Sequence, residues 1–153
     1  MRKNLKYYTL LLFTVLLANK AIASNEMQVY KSPNCGCCVK WVSHLEDNGF
    51  SSSTFNKDAM SMIKDELNIP KQYRSCHTGV VIHSEGKYIF EGHVPAETIK
   101  RFLSNPPENA LGLSVPGMPV GSPGMEVGSR KDYYEVLLLL NNGDSKVYEK
   151  MNG

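Results

Sequence analysis

The chain has 153 residues, with 17 Lys and Arg against 15 Asp and Glu and a net charge of +2. That length suits a single domain with a genuine core. The near-balance of charge gives no reason to propose nucleic acid as a partner.

The first residues read as a secretory signal. Arg2, Lys3 and Lys6 form a basic start, and Tyr8 to Ala18 is apolar but short for a membrane span. Ala21-Ile22-Ala23 supplies the small-x-small cleavage pattern, so residues 1–23 are expected to be removed. An uncleaved N-terminal anchor is the competing reading. The removed segment carries four basic residues (Arg2, Lys3, Lys6, Lys20) and no acidic one, so cleavage takes the net charge from +2 to −2. Residues 24–153 then form one exported domain. No later stretch is long enough to cross a bilayer, so no membrane partner is expected after cleavage. Export places the four cysteines in an oxidising compartment, where they tend to pair unless metal or function keeps them reduced.

Met27 to Ser32 alternates and predicts a short strand, which Pro33-Asn34 breaks. Cys38, Trp41, Val42 and Leu45 fall at i, i+3, i+4 and i+7, on one face of a helix that starts near Cys37 and ends at Asn48-Gly49. Cys35-Gly36-Cys37-Cys38 therefore sits between a strand and the first turn of a helix. There, free backbone N–H groups and the helix dipole stabilise a thiolate. The cluster contains both Cys-x-Cys and Cys-x-x-Cys. Either spacing can close a disulfide or clamp one metal ion. A static disulfide framework is the competing reading, although adjacent Cys37 and Cys38 make a poor pair.

Ser52 to Asn56 predicts a second strand. Asp58 is placed to cap a helix running to about Asn68, with Ala59, Ile63 and Leu67 inward and Pro70 closing it. Thr78 to His83 and Lys87 to Gly92 flank Ser84-Glu85-Gly86 and predict a hairpin. Pro95 fits the first turn of a third helix, with Ile99, Phe102 and Leu103 inward.

This βαβα, β-hairpin, α order predicts an α/β fold of the thioredoxin-like kind, a mixed sheet with flanking helices. In such a fold the entrance to the third strand, Cys76-His77-Thr78, returns beside the first strand–helix junction. Leu111 to Glu126 reads as a Gly/Pro loop with an internal repeat, Pro116-Gly117-Met118 and Pro123-Gly124-Met125. Each Pro-Gly favours a tight turn that offers the following Met. Tyr134 to Leu140 and Lys146 to Lys150 predict a final hairpin.

Thiolate and thioether ligands favour Cu(I), and imidazole also suits Cu(II). Cys35, Cys37, Cys38 and Cys76 with Met118 and Met125 make a soft donor set. Zinc would be content with the cysteines alone. The methionines could equally plug the edge of the domain. His77 can reach the Cys76 site or face the other side of its strand, and His93 stands at a strand end near the loops. His44 and His83 read as solvated, and the acidic residues as scattered over surfaces. No hydrolytic triad, carboxylate pair or phosphate-binding loop stands out.

The stretch Tyr30-Lys31-Ser32-Pro33-Asn34-Cys35-Gly36-Cys37-Cys38, followed by Trp41-Val42-Ser43-His44-Leu45, resembles the CopG family of periplasmic copper-resistance proteins. Cys76-His77-Thr78, Glu91-Gly92-His93-Val94-Pro95-Ala96 and Val115 to Glu126 carry the same resemblance. It implies a thioredoxin-like fold and a periplasmic location. It also implies a multinuclear, thiolate-bridged copper site with a redox role in handling Cu(I) and Cu(II). The implied ligands are Cys35, Cys37, Cys38, Cys76, Met118 and Met125, together with His77 and His93. The implied partners are copper ions and periplasmic copper-efflux components. A thiol–disulfide oxidoreductase and a passive metal carrier are the alternatives.

Overall fold

The computed structural model describes residues 26–152. The expected signal segment, 1–23, lies outside them. Among the described residues no helix is long and apolar enough to cross a membrane.

The chain runs β1 (Glu26–Lys31), α1 (Gly36–Asp47), β2 (Ser51–Asn56), α2 (Met60–Glu66), a short 3-10 turn (Lys71–Tyr73), β3 (His77–His83), β4 (Gly86–Glu91) and α3 (Ala96–Ser104). Then come β5 (Ala110–Ser114), β6 (Tyr134–Leu140) and β7 (Ser145–Met151). The seven strands form one mixed sheet in the order β2-β1-β3-β4-β5-β6-β7. β1–β2 and β4–β5 are parallel, and the other neighbours are antiparallel. The α/β class expected from the element order is the one observed.

Strand alternation divides the apolar residues between two cores. On one face Met27, Val29, Val81 and Phe90 meet Trp41 and Leu45 of α1 and Ile99 and Phe102 of α3. On the other, Val80, Ile89 and Leu139 meet Ile69, with Tyr73 and Leu67 packed alongside. The Trp41 indole, fully buried, donates from Nε1 to the Val94 carbonyl at 2.8 Å, which ties α1 to the end of the β4–α3 connection.

Three expectations need correction. α2 begins at Met60 with Ala59 at its N-cap, and Ala59 is exposed, not inward. The residue α2 buries most deeply is Lys64, because the buried Glu91 carboxylate pairs with it there. Leu111 to Ser114 belongs to β5, not to the loop, because β4 offers a parallel edge that this short segment fills.

The final hairpin, whose role the sequence left open, extends the sheet. It is held under α3 by Thr98, whose hydroxyl donates to Glu149 at 2.6 Å, and by Arg101, which pairs with the same carboxylate at 2.5 Å.

Candidate metal centre

The site forms where β1 hands over to α1. Pro33 and Asn34 break the strand, and Cys35 takes extended backbone angles as the N-cap of α1. Cys38 then points into the core while Cys37 stays half-buried. Cys35 and Cys38 are joined by a disulfide, and Cys37 and Cys76 are free thiols. The Cys37 sulfur lies 3.5 Å from that of Cys35 and 4.0 Å from that of Cys76. Across the antiparallel β1–β3 pair, Lys31 stands opposite His77, which brings the entrance of β3 beside the cluster.

Cys76 is the hinge of the arrangement. Its sulfur lies 3.2 Å from His77 Nδ1 and 3.2 Å from His93 Nε2. Two donor groups therefore share it. One is Cys35, Cys37, Cys38 and Cys76; the other is Cys76, His77 and His93. Within each group the donor atoms lie within 4.8 Å of one another. Burial, and then the neighbouring Cys37, push the Cys76 thiol up to about 11. A cation there must displace a proton, so binding releases protons.

Both histidines are held neutral. Burial lowers His77 well below its ordinary value, helped by the proximity of His93 and Lys64. Burial also lowers His93. His93 Nδ1 lies 2.8 Å from the Pro123 carbonyl. A carbonyl only accepts, so Nδ1 carries the proton and Nε2 presents its lone pair toward Cys76. His77 packs against Trp41 with ring centroids 4.3 Å apart, and its buried Nε2 has no hydrogen-bond partner among the described residues. These donors fit a soft or borderline cation: up to four sulfurs once the disulfide opens, with two neutral imidazoles beside them.

The Gly/Pro loop closes over this centre through its backbone. Met125 N–H donates to the Ser122 carbonyl at 2.8 Å, completing the Ser122-Pro123-Gly124-Met125 turn. Gly124 has a φ of +86°, and a Cβ built on it would stand 2.8 Å from the Cys37 carbonyl oxygen and 2.9 Å from Trp41 N. In the first turn of the repeat, the Gly117 carbonyl accepts from the Ser75 hydroxyl. Met118 is 53% exposed and Met125 half-buried. The structure thus brings together Cys35, Cys37, Cys38, Cys76, His77 and His93, while the methionines approach through the turns that precede them.

Sequence reasoning placed two residues wrongly and missed others. His44 is not simply solvated: its Nε2 accepts from Ala96 N–H at 3.0 Å at the start of α3. Glu91 is not a surface acid but fully buried. Its carboxylate accepts from Ser75 N–H at 2.6 Å and from the Thr78 hydroxyl at 2.5 Å, and it pairs with Lys64.

A half-buried cluster of cysteine sulfurs and imidazoles at the ends of the inner strands of a mixed α/β sheet defines a metal-handling protein of the cysteine–histidine type. Residues 73–125 match a family described as "Protein of unknown function, DUF411". A solved structure titled "Copper resistance protein copG- Form 1" is 41% identical, with a TM-score of 0.76, covering 84% of this chain and 98% of that one. A second, titled "Form 2" of the same protein, is 42% identical, with a TM-score of 0.74 and coverage of 82% and 96%. A comparison with curated proteins finds no match. The chain belongs to the CopG family of copper resistance proteins.

Proposed function

We propose that the protein is a periplasmic copper-binding protein of copper resistance. In this reading it holds Cu(I) in a multinuclear site built on Cys35, Cys37, Cys38 and Cys76, with His77 and His93 at its inner edge and Met118 and Met125 above. The observation that carries the reading is the convergence of the free Cys76 thiol on Cys37 and on two neutral imidazoles. The titles of the related structures support copper as the cargo. We take the β1 to α3 portion as a thioredoxin-like unit, residues 24–153 as one exported domain, and copper-efflux components as its partners.

The Cys35–Cys38 disulfide supports a redox role. Closing the disulfide from two thiols releases two electrons and two protons, and the electrons reduce two Cu(II) to Cu(I). Reduced protein mixed anaerobically with Cu(II) should therefore yield one Cu(I) per thiol lost. A thiol count unchanged while Cu(II) is consumed removes the redox role.

For binding, the reduced mature protein should take more than one Cu(I) per chain and prefer it over zinc. Competition with a Cu(I) chelator, with elemental analysis, measures this. At most one copper, readily displaced by zinc, sinks the multinuclear site.

The disulfide across a Cys-x-x-Cys at a helix N-terminus favours one second reading, a thiol–disulfide oxidoreductase acting on proteins. Reduction of a protein disulfide by the metal-free chain would support it.

A further inference from the structure

Beneath the metal centre lies a charged cluster that the copper reading does not use. Lys64 of α2 and Glu91 of β4 are 4% and 0% exposed. Thr78, fully buried, stands opposite Glu91 in the β3–β4 register. The Lys64 ammonium donates to the Thr78 hydroxyl at 3.0 Å and pairs with Glu91 Oε1. The Thr78 hydroxyl donates in turn to Glu91 Oε2. A buried ion pair of this kind is weak evidence for stability, since apolar residues of similar volume often serve as well. Its position is more telling. Thr78 is two residues from Cys76, and Glu91 is two residues from His93. The same Glu91 oxygen that pairs with Lys64 also accepts the Ser75 N–H at 2.6 Å. The Ser75 hydroxyl then reaches the Gly117 carbonyl, next to Met118. Ser75 is thus held from below by the carboxylate and from above by the loop.

We propose that the Lys64–Thr78–Glu91 cluster is a positioning device for the metal centre, fixing Ser75 so that Cys76 and the Pro116-Gly117-Met118 turn are set relative to one another. The proposal rests on the copper reading above. Lys64 balances the carboxylate, so the anchor adds no net charge beside sulfurs that become anionic on metal binding. Groups that orient metal ligands through hydrogen bonds are worth roughly 10- to 100-fold in metal affinity when lost.

The test is a triple variant, Lys64→Met with Thr78→Val and Glu91→Leu, which removes the anchor without leaving a buried charge. Apo thermal stability, Cu(I) affinity and the alkylation rate of Cys76 in reduced metal-free protein are measured together. The expected result is a folded protein with roughly 10- to 100-fold weaker Cu(I) affinity and faster alkylation of Cys76. Lys64→Met with Glu91→Gln, which keeps the size and one acceptor oxygen at position 91 and leaves no buried charge, should move both in the same direction by less, and serves if the triple variant does not fold. Wild-type affinity and wild-type alkylation in the folded variants overturn the proposal, whatever happens to their melting temperature. A wild-type protein that binds no copper overturns the copper reading instead, and the alkylation rates still decide the positioning role.

Discussion

The Cys76 sulfur lies 3.2 Å from His93 Nε2, although 17 residues separate them in the chain. The β3–β4 hairpin makes the meeting, with Gly92 N–H donating to the His77 carbonyl at 2.9 Å just beyond the last strand pair. Cys76 also faces Cys37, so it is the sulfur common to both donor groups.

Replacing Cys76 with Ser should therefore lower copper stoichiometry at least as much as Cys35→Ser. Serine keeps the size but offers a hard oxygen in place of a soft sulfur. Elemental analysis of both variants after loading with Cu(I) gives the comparison. Full stoichiometry in Cys76→Ser would show that the cation sits on the α1 cysteines alone.

Met118→Leu with Met125→Leu should keep the fold and release copper faster, with a smaller effect than loss of a cysteine. Leu conserves volume and apolarity, which separates ligation from packing. Met118 is mostly outside the core, so its substitution should cost little stability. Off-rate and melting temperature are measured on the same samples. An unchanged off-rate makes the methionines filler.

Gly124→Ala and Gly117→Ala test the two turns against each other. Both glycines have positive φ, and alanine there costs about 1–2 kcal/mol. Only at Gly124 would the new methyl also meet the backbone of α1; Gly117 has nothing within 4 Å. Gly124→Ala should therefore destabilise the apo protein more and speed copper release more. Equal effects in unfolding and release assays would mean that the second turn does not rest on α1 in solution.

His44 gives the apo protein a pH dependence. Burial holds it below its ordinary 6.5, against Glu126, Asp47 and Glu97, which raise it, and alongside Lys100, which lowers it further. The unfolded chain thus takes the proton first. The His44 contribution is complete above about pH 6.5 and is lost as pH falls toward the folded value. Protonation also removes the acceptor for Ala96 N–H and puts a positive charge at the start of a helix. His44→Gln should lose less stability than wild type between pH 7.5 and 5 in chemical denaturation. The same slope in both proteins would assign the effect elsewhere.

The sequence showed most of what is local. The Cys38–Trp41–Leu45 face of α1, the β3–β4 hairpin and the final hairpin follow from periodicity and turn residues. The approach of Cys76 to the cluster followed from the expected fold. β5 was hidden because Gly112 interrupts a five-residue strand and Pro116 follows closely. Its pairing with β4 is a tertiary gain that no local propensity records. Lys64 and Glu91 were unreadable for a similar reason. They are 27 residues apart, and each alone looks like a solvated charge. The bond from Ala96 to His44 spans 52 residues and leaves no local pattern.

The segment over the metal centre leaves the sheet at Ser114 and rejoins it at Tyr134, and β5 and β6 are hydrogen-bonded neighbours. The segment is therefore an excursion tethered at both feet. It moves about two ends held in register by the β5–β6 ladder, not about one free hinge. Wider access to the half-buried sulfurs would come from small rearrangements at its tip, at the two Pro-Gly corners. A partner delivering or collecting the ion would meet a fixed rim with an adjustable crest, and the traffic rate would be a property of those corners and not of the sheet.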